Sequence, residues 1–324
     1  MFKNIKNKIL NNIKEIYYLK ELEKKYNNKK IIKIKLGFDP TNFKIHLGHY
    51  FLLKKIKNIK KIKLFNINII IGNFTSIIGD PTGKKKTRYF LKYKNIINNS
   101  KIYLLQFGIF LNISKINIYY NSKWNILFKI KYFINLLSKF TLNKIIERKN
   151  FMKRIKNKKP IYLHEIIYSI IQAYDSVILD SDLEIGGIDQ KFNLFFSRKL
   201  QKKINKKKQS ILMFPFIKSL NFKKKMSKSN KKNNININDN YNIIFLKLMN
   251  ISDNIMFHYY NLLLSYKKKK IFFLKKIKSG KYFKNMKIKL SLKIIKKIYN
   301  KFFSLKSLKK FINILYNKNN NYKK

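Results

Sequence analysis

Two histidines three residues apart, His46 and His49 in FDPTNFKIHLGH, are the first side chains whose type and spacing suit chemistry. At positions i and i+3 they share one face if a helix begins near Ile45 or His46. Two imidazoles would then stand at a helix N-terminus, where the dipole and the free amides favour phosphate. Gly48 between them lets a flat or bulky ligand approach the backbone. A surface histidine pair and half a metal site are the alternatives, but no Glu or third ligand has the spacing a metal needs. The second element is KMSKS at 225–229, which sets two lysines three apart with the hydroxyls of Ser227 and Ser229 beside them. Lys225, Lys228 and Ser229 suit closure over a triphosphate, as two point charges and a short donor. In a chain this basic a lysine pair alone carries no weight; the whole pentapeptide is far more specific.

These side chains need elements to hold them. Residues 31–36 (IIKIKL) alternate or run apolar and reach Gly37, which predicts a strand ending in a tight turn. Helical spacing resumes over 47–60, and 67–71 reads as a second strand. The glycines and Pro81 of GNFTSIIGDPTG mark a functional-looking loop after it. Strand, helix, strand opens a βαβ unit, so a parallel sheet is expected. Ahead of it, Phe2, Ile5, Ile9, Ile13 and Ile16 fit one face of an amphipathic helix. From 100 to 160 the spacing is mainly helical and includes the only tryptophan, Trp124. A helix is expected over 160–177, and an apolar IGG near 185 leads into another over 189–203. Residues 221–240 read as an exposed loop or linker, and the chain beyond is helical and lysine-rich.

Composition sets the outer bounds. A chain of 324 residues with 45% hydrophobic content can bury a sizeable core. Without cysteine there is no disulfide, thiolate metal site or thiol nucleophile. The net charge of +61 points formally to a polyanionic partner. However, nearly all the basic residues are lysine among Asn, Ile, Phe and Tyr, the residues whose codons are richest in A and T. An A/T-biased genome would write that charge into any protein, so charge alone assigns no function. No secretory signal is visible, and no stretch approaches the ~18 apolar residues of a membrane span. A soluble cytoplasmic protein is the expectation.

HLGH following GFDPT, with KMSKS far downstream, looks like the two signature motifs of class I aminoacyl-tRNA synthetases. GDPTGKKKTR, YSIIQAYDS and GGIDQKFNLFF between them resemble the tyrosyl enzymes of bacteria, and the resemblance runs in order from about 30 to 260. It implies an α/β fold: a Rossmann-type parallel-sheet catalytic domain over 1–220 with a helical insertion at 120–160. The KMSKS loop and linker would occupy 221–240, and a helical tRNA-binding domain 241–324. Partners implied are L-tyrosine, ATP, the tyrosine tRNA and a second copy of the chain. Magnesium would travel with ATP, with no protein-bound metal.

The resemblance also assigns roles. Gly37, Asp39, Thr41, His46, Gly48 and His49 would line the ATP site, Gly187 would lie against the adenosine, and Asp189 would hold its ribose. Lys225, Lys228 and Ser229 would grip the pyrophosphate portion, with His46, His49, Lys225 and Lys228 catalytic. Asp80, Tyr168 and Gln172 would surround the α-ammonium of tyrosine, Gln190 its carboxylate, and Asp175 would accept the phenolic hydrogen bond. Independently, Tyr168, Gln172 and Asp175 fall at i, i+4 and i+7, so one helix face can grasp both ends of an amino acid. Lys35 stands where many members carry tyrosine, Ser219 and Phe222 replace common glycines, and many bacterial relatives continue past the position of residue 324 into a small RNA-binding module. A tryptophanyl-type synthetase and a non-catalytic RNA-binding protein on a synthetase scaffold are the competing readings.

Overall fold

Isoleucine-rich runs build the sheet. In this computed structural model, which describes residues 12–82, 91–220, 226, 234–276 and 280–321, six strands form one sheet. They are β1 Glu15–Tyr17, β2 Ile32–Phe38, β3 Phe65–Ile71, β4 Asn117–Tyr120, β5 Leu183–Gly187 and β6 Ser210–Phe214. Their order is β1-β6-β5-β2-β3-β4, parallel throughout except for β1, which pairs antiparallel with β6. β3 and β6 are buried along nearly their whole length, as parallel strands covered on both faces must be. From β2 the chain proceeds outward through β3 to β4, then returns to place β5 and β6 on the other side of β2. That reversal lies between β2 and β5, and beyond the carboxyl ends of such strands a doubly wound sheet offers a ligand crevice.

The chain divides into two units. The first comprises Met1–Phe43 with Leu53–Pro215, and the second Lys44–Leu52 with Phe216–Lys324. The first unit holds the sheet with α1 Leu19–Asn27 and the C-terminal part of α2 Leu47–Ile59. It continues with α3 Thr75–Ile78, α4 Tyr93–Gly108, α5 Ser122–Asn125, α6 Ile130–Leu137, α7 Leu142–Ile146, α8 Lys149–Lys156, α9 Leu163–Ile178 and α10 Lys191–Lys203. α6 to α8 form a small helical layer whose Leu136, Ile145 and Phe151 bury against Ile170, Ala173 and Tyr174 of α9 and Phe196 and Leu200 of α10. Arg154 of α8 pairs with Glu165 at 2.7 Å, and the same carboxylate accepts the Tyr162 N–H at 3.2 Å, fixing the start of α9.

The second unit starts with the first turns of α2 and continues with α11 Tyr241–Met249, α12 Asp253–Leu262, α13 Lys268–Lys276, α14 Gly280–Ile298 and α15 Lys301–Asn321. α14 is amphipathic: Met286, Leu290, Ile294 and Ile295 are buried, while Lys284, Lys289, Lys293 and Lys296 are exposed.

One expectation needs correction and two need an addition. The amphipathic helix drawn through residues 2–16 does not reach Ile16, which lies in β1 opposite Leu212; Phe2, Ile5 and Ile9 lie outside the described residues. Sheet hydrogen bonds at the edge outweigh a helical spacing there. The mainly helical stretch from 100 to 160 contains β4, an edge strand paired with β3. IGG near 185 is not merely a lead-in to a helix, because it closes β5.

Candidate active site

Asp39 leaves the carboxyl end of β2 and is clasped at once. Its Oδ2 accepts the Tyr168 phenol at 2.9 Å and its Oδ1 the Thr75 hydroxyl at 2.8 Å. A methyl group on Gly72 would overlap both Asp39 Oδ1 and Thr75 Oγ1, so this close approach requires glycine. Thr41 turns back after Asp39, its N–H donating to the Asp39 carbonyl at 2.8 Å. Asn121 Nδ2 donates to Thr75 Oγ1 and to Asp175 Oδ2, both at 3.2 Å. The other Asp175 oxygen accepts the Trp124 indole N–H at 2.8 Å and Asn125 Nδ2 at 3.5 Å.

Asp175 is therefore a buried carboxylate ringed by uncharged donors. Burial pushes its carboxyl up to about 6, against the pull of the Lys35 charge and of the Trp124, Asn121 and Asn125 hydrogen bonds. One turn earlier, Gln172 Nε2 lies 3.4 Å from Glu184 Oε1, while its buried Oε1 has no hydrogen-bond partner among the described residues. A buried carbonyl oxygen left so is poised for a donor.

Asp80, at the end of the loop after β3, has a different environment. Its Oδ1 accepts the Thr82 N–H at 2.8 Å, the Thr82 hydroxyl at 2.5 Å and the Arg148 guanidinium at 3.1 Å; its Oδ2 accepts Gln190 Nε2 at 2.7 Å. Burial opposes ionisation, but the Arg148 charge with the Thr82 and Gln190 hydrogen bonds holds Asp80 below the usual carboxylate range. Arg148 also donates to Thr82 Oγ1 and, at 3.3 Å, to Ser169 Oγ on α9; its guanidinium lies 5.4 Å from the Phe192 ring centre. Gln190 is steadied by Asn193, whose Nδ2 donates to its Oε1 at 2.8 Å.

Gly187 ends β5, and the Asp189 carboxylate folds back against it, where a side chain would displace it. Gly37, in contrast, has nothing within 4 Å of where a side chain would start. α9 thus carries side chains of three hydrogen-bonded groups: Tyr168 and Asp175 with Asp39, Thr75 and Asn121; Gln172 with Glu184; and Ser169 with Arg148, Asp80, Asn193 and Gln190. Sequence reasoning had not found Arg148, Asn121, Thr75 or the contacts of Trp124.

In the second unit, His46 and His49 do lie side by side at the start of α2, ring centres 4.1 Å apart. The His46 N–H donates to His49 Nδ1 at 3.1 Å, and the Gly48 N–H to His46 Nδ1 at 3.0 Å. A methyl on Gly48 would come within 2.8 Å of the His46 ring. Main-chain bonds from Leu47 to Ile235 and from Ile237 to Ile45, each 3.0 Å, brace this turn. Lys225, Lys228 and Ser229 lie outside the described residues, as do Phe222 and the KKKTR part of GDPTGKKKTR. Met226 between them is buried, its N–H donating to Ile217 at 2.9 Å, and Ser219 is buried.

Among the described residues, no group of three or more His, Cys, Asp or Glu is placed to hold a metal, and no helix is long and apolar enough to cross a membrane. The family model described as tRNA synthetases class I (W and Y) matches residues 27–316. The tyrosine–tRNA ligase of Haemophilus influenzae is 38% identical over 300 residues, covering 92% of this chain and 74% of its own length. That of Carboxydothermus hydrogenoformans is 40% identical over 261 residues, covering 81% and 63%. Among solved structures, the tyrosyl-tRNA synthetase of Archaeoglobus fulgidus, complexed with L-tyrosine, superposes with a TM-score of 0.74 at 19% identity, covering 95% of this chain and 99% of that one. A C-terminally truncated mitochondrial tyrosyl-tRNA synthetase of Aspergillus nidulans gives the same TM-score at 16% identity, covering 96% and 93%. The two curated relatives extend beyond the part this chain matches, and the structural neighbours bear on the fold alone. By sequence, over nine-tenths of its length, the chain belongs to the class I aminoacyl-tRNA synthetases, in their tyrosine–tRNA ligase family.

Proposed function

We propose that this chain activates L-tyrosine with magnesium-bound ATP, giving tyrosyl-adenylate and pyrophosphate, and transfers the tyrosyl group to the 3′ end of its tRNA. The observation that carries this reading is Asp175. A carboxylate offers about four lone-pair positions, and three are taken by Trp124, Asn121 and Asn125. The remaining acceptor position suits the phenol of tyrosine; phenylalanine would leave the buried carboxylate underused. At the other end, Asp80, Tyr168 and the unpartnered Oε1 of Gln172 suit the α-ammonium, and Gln190 the carboxylate.

The tyrosine carboxylate is ionised at neutral pH and attacks the α-phosphate without a general base. Rate acceleration then rests on positioning and on groups aimed at the migrating charge: His46, His49, Lys225 and Lys228. Asp39, Thr41, Gly37, Gly48, Gly187, Asp189 and Ser229 complete the ATP contacts, with Asp189 on the ribose. Tyrosine-dependent exchange of pyrophosphate into ATP tests the reading. Exchange supported by tryptophan instead would select the tryptophanyl alternative, and none with either amino acid would select a non-catalytic RNA-binding scaffold. A cytoplasmic location is part of this proposal.

Two partner surfaces complete it. The insertion exposes Ile126, Leu127, Ile130 and Ile134, an apolar face that suits a second copy of the chain. Sedimentation as a monomer at micromolar concentration would rule that homodimer out. The helical region from 241 onward meets tRNA through its lysine faces: Lys293 donates to the Tyr266 phenol at 2.8 Å and Lys270 lies 4.8 Å from its ring centre. Changing Lys270, Lys289, Lys293 and Lys296 to glutamine is expected to flatten the salt dependence of tRNA binding, roughly one unit of slope for each phosphate no longer neutralised, with pyrophosphate exchange intact. An unchanged slope would reduce this surface to a product of composition.

A further inference from the structure

Lys35 occupies the centre of the sheet, where a lysine is costly. It is a register partner of Glu184 across β2 and β5, and its Nζ lies 2.9 Å from Glu184 Oε1, with both side chains 2% exposed or less. The same ammonium donates to the Gln172 carbonyl at 2.8 Å and to Ser176 Oγ at 2.7 Å. Its three protons are thereby assigned to protein groups, so its head serves the protein and not a substrate. Ser176 donates in turn to Glu184 Oε2 at 3.2 Å, and Gln209 of the neighbouring loop donates to the same oxygen. The α9 turn from Gln172 to Ser176 is gripped from beneath, and that turn carries Asp175. A buried ion pair is no more stabilising than well-packed apolar side chains of the same volume. Stability alone therefore gives no reason for a lysine here.

We infer that Lys35 is a positioning residue for tyrosine specificity: its buried charge holds Asp175 as the carboxylate that accepts the phenol hydrogen bond, and Glu184 moderates that charge. The inference rests on the assignment of Asp175 to the phenol. The charged groups on the elements around Asp175 are few. β2 supplies Lys35, β5 supplies Glu184, and Asp39 at the end of β2 is linked through Thr75 and Asn121. α5 and the residue before it present only Asn121, Trp124 and Asn125, α10 presents Asn193 and Gln201, and α9 itself adds Tyr168 and Tyr174. Burial drives Asp175 toward the neutral acid, and Lys35 is the charge that opposes it.

The test uses the sign of the charge left behind. Lys35→Gln and Glu184→Gln break the same ion pair but leave opposite charges. Equilibrium binding of tyrosine and phenylalanine is measured for the full-length protein and both variants across about pH 5 to 8, the window in which a carboxyl shifted this far titrates. Wild-type affinity for tyrosine is expected to fall as the pH drops through about 6, with phenylalanine binding flat. Lys35→Gln moves that midpoint up and Glu184→Gln moves it down, each by about one unit, a tenfold change in the protonation equilibrium. Midpoints moving the same way, or affinities falling equally at every pH and for both amino acids, would reduce Lys35 to a packing role. If one variant does not fold, the direction of the other decides. Asp175→Asn separates this from the underlying reading: if it keeps the preference for tyrosine and the wild type shows no tyrosine-specific pH dependence, the phenol pocket is misassigned and the role of Lys35 falls with it.

Discussion

Asp80 and Asp175 are both buried carboxylates in the first unit, yet their surroundings drive them in opposite directions. Asp80 faces a guanidinium and stays below the usual range, whereas Asp175 faces neutral donors and rises to about 6. One environment guarantees an anion and suits a cationic ligand group. The other leaves an acceptor whose ionisation depends on a charge farther off, and suits a neutral hydroxyl. In the proposed function, two copies of one residue type, set by different neighbours, would read the two ends of one amino acid.

The largest loss is expected at Asp80. On the proposed role of Asp80, Asp80→Asn removes the counter-charge for the ammonium and strands Arg148, so tyrosine binding is expected to weaken by about 2–5 kcal/mol. Calorimetric titration checks it, and near-normal affinity would mean the ammonium binds elsewhere. At the other end, Asp175→Ala is expected to leave most amino-acid affinity but cut the preference for tyrosine over phenylalanine by about 1–3 kcal/mol. Pyrophosphate exchange with each amino acid measures this, and unchanged discrimination would misplace the side-chain pocket. The smallest effect is expected at Arg148. Arg148→Lys keeps the charge beside Asp80 but loses the fork that also reaches Thr82 and Ser169. Tyrosine affinity should fall only a few-fold, roughly 1 kcal/mol, and remain independent of pH near Asp80. Acquired acid sensitivity would show that the fork, not the charge, holds Asp80 ionised.

Much of this was legible in the chain. The alternation before Gly37 marked β2, and the i, i+4, i+7 spacing placed Tyr168, Gln172 and Asp175 on one face of α9. β6 was invisible because SILMF is buried on both faces and so has no alternation to read. β1 and β4 are three- and four-residue edge strands set within helical spacing. Arg148 pairs with Asp80 across 68 residues, a separation no local pattern encodes. One signal was nevertheless present: the sequence holds four arginines, Arg88, Arg148, Arg154 and Arg198, in a chain otherwise basic through lysine. Arg148, Arg154 and Arg198 are buried in ion pairs with Asp80, Glu165 and Glu21. Where composition favours lysine, arginine remains at positions that need its planar fork of donors.

The two bonds inside HLGH fix where protons reside on its imidazoles. His46 and His49 each use Nδ1 to accept a main-chain N–H, from Gly48 and His46 respectively. A ring nitrogen that accepts carries no hydrogen, so both rings are locked into the tautomer with the proton on Nε2. In the proposed function each ring would then offer its Nε2–H to the polyphosphate as an oriented donor acting over hydrogen-bond distances. Such contacts are far less sensitive to ionic strength than the pull of lysine side chains.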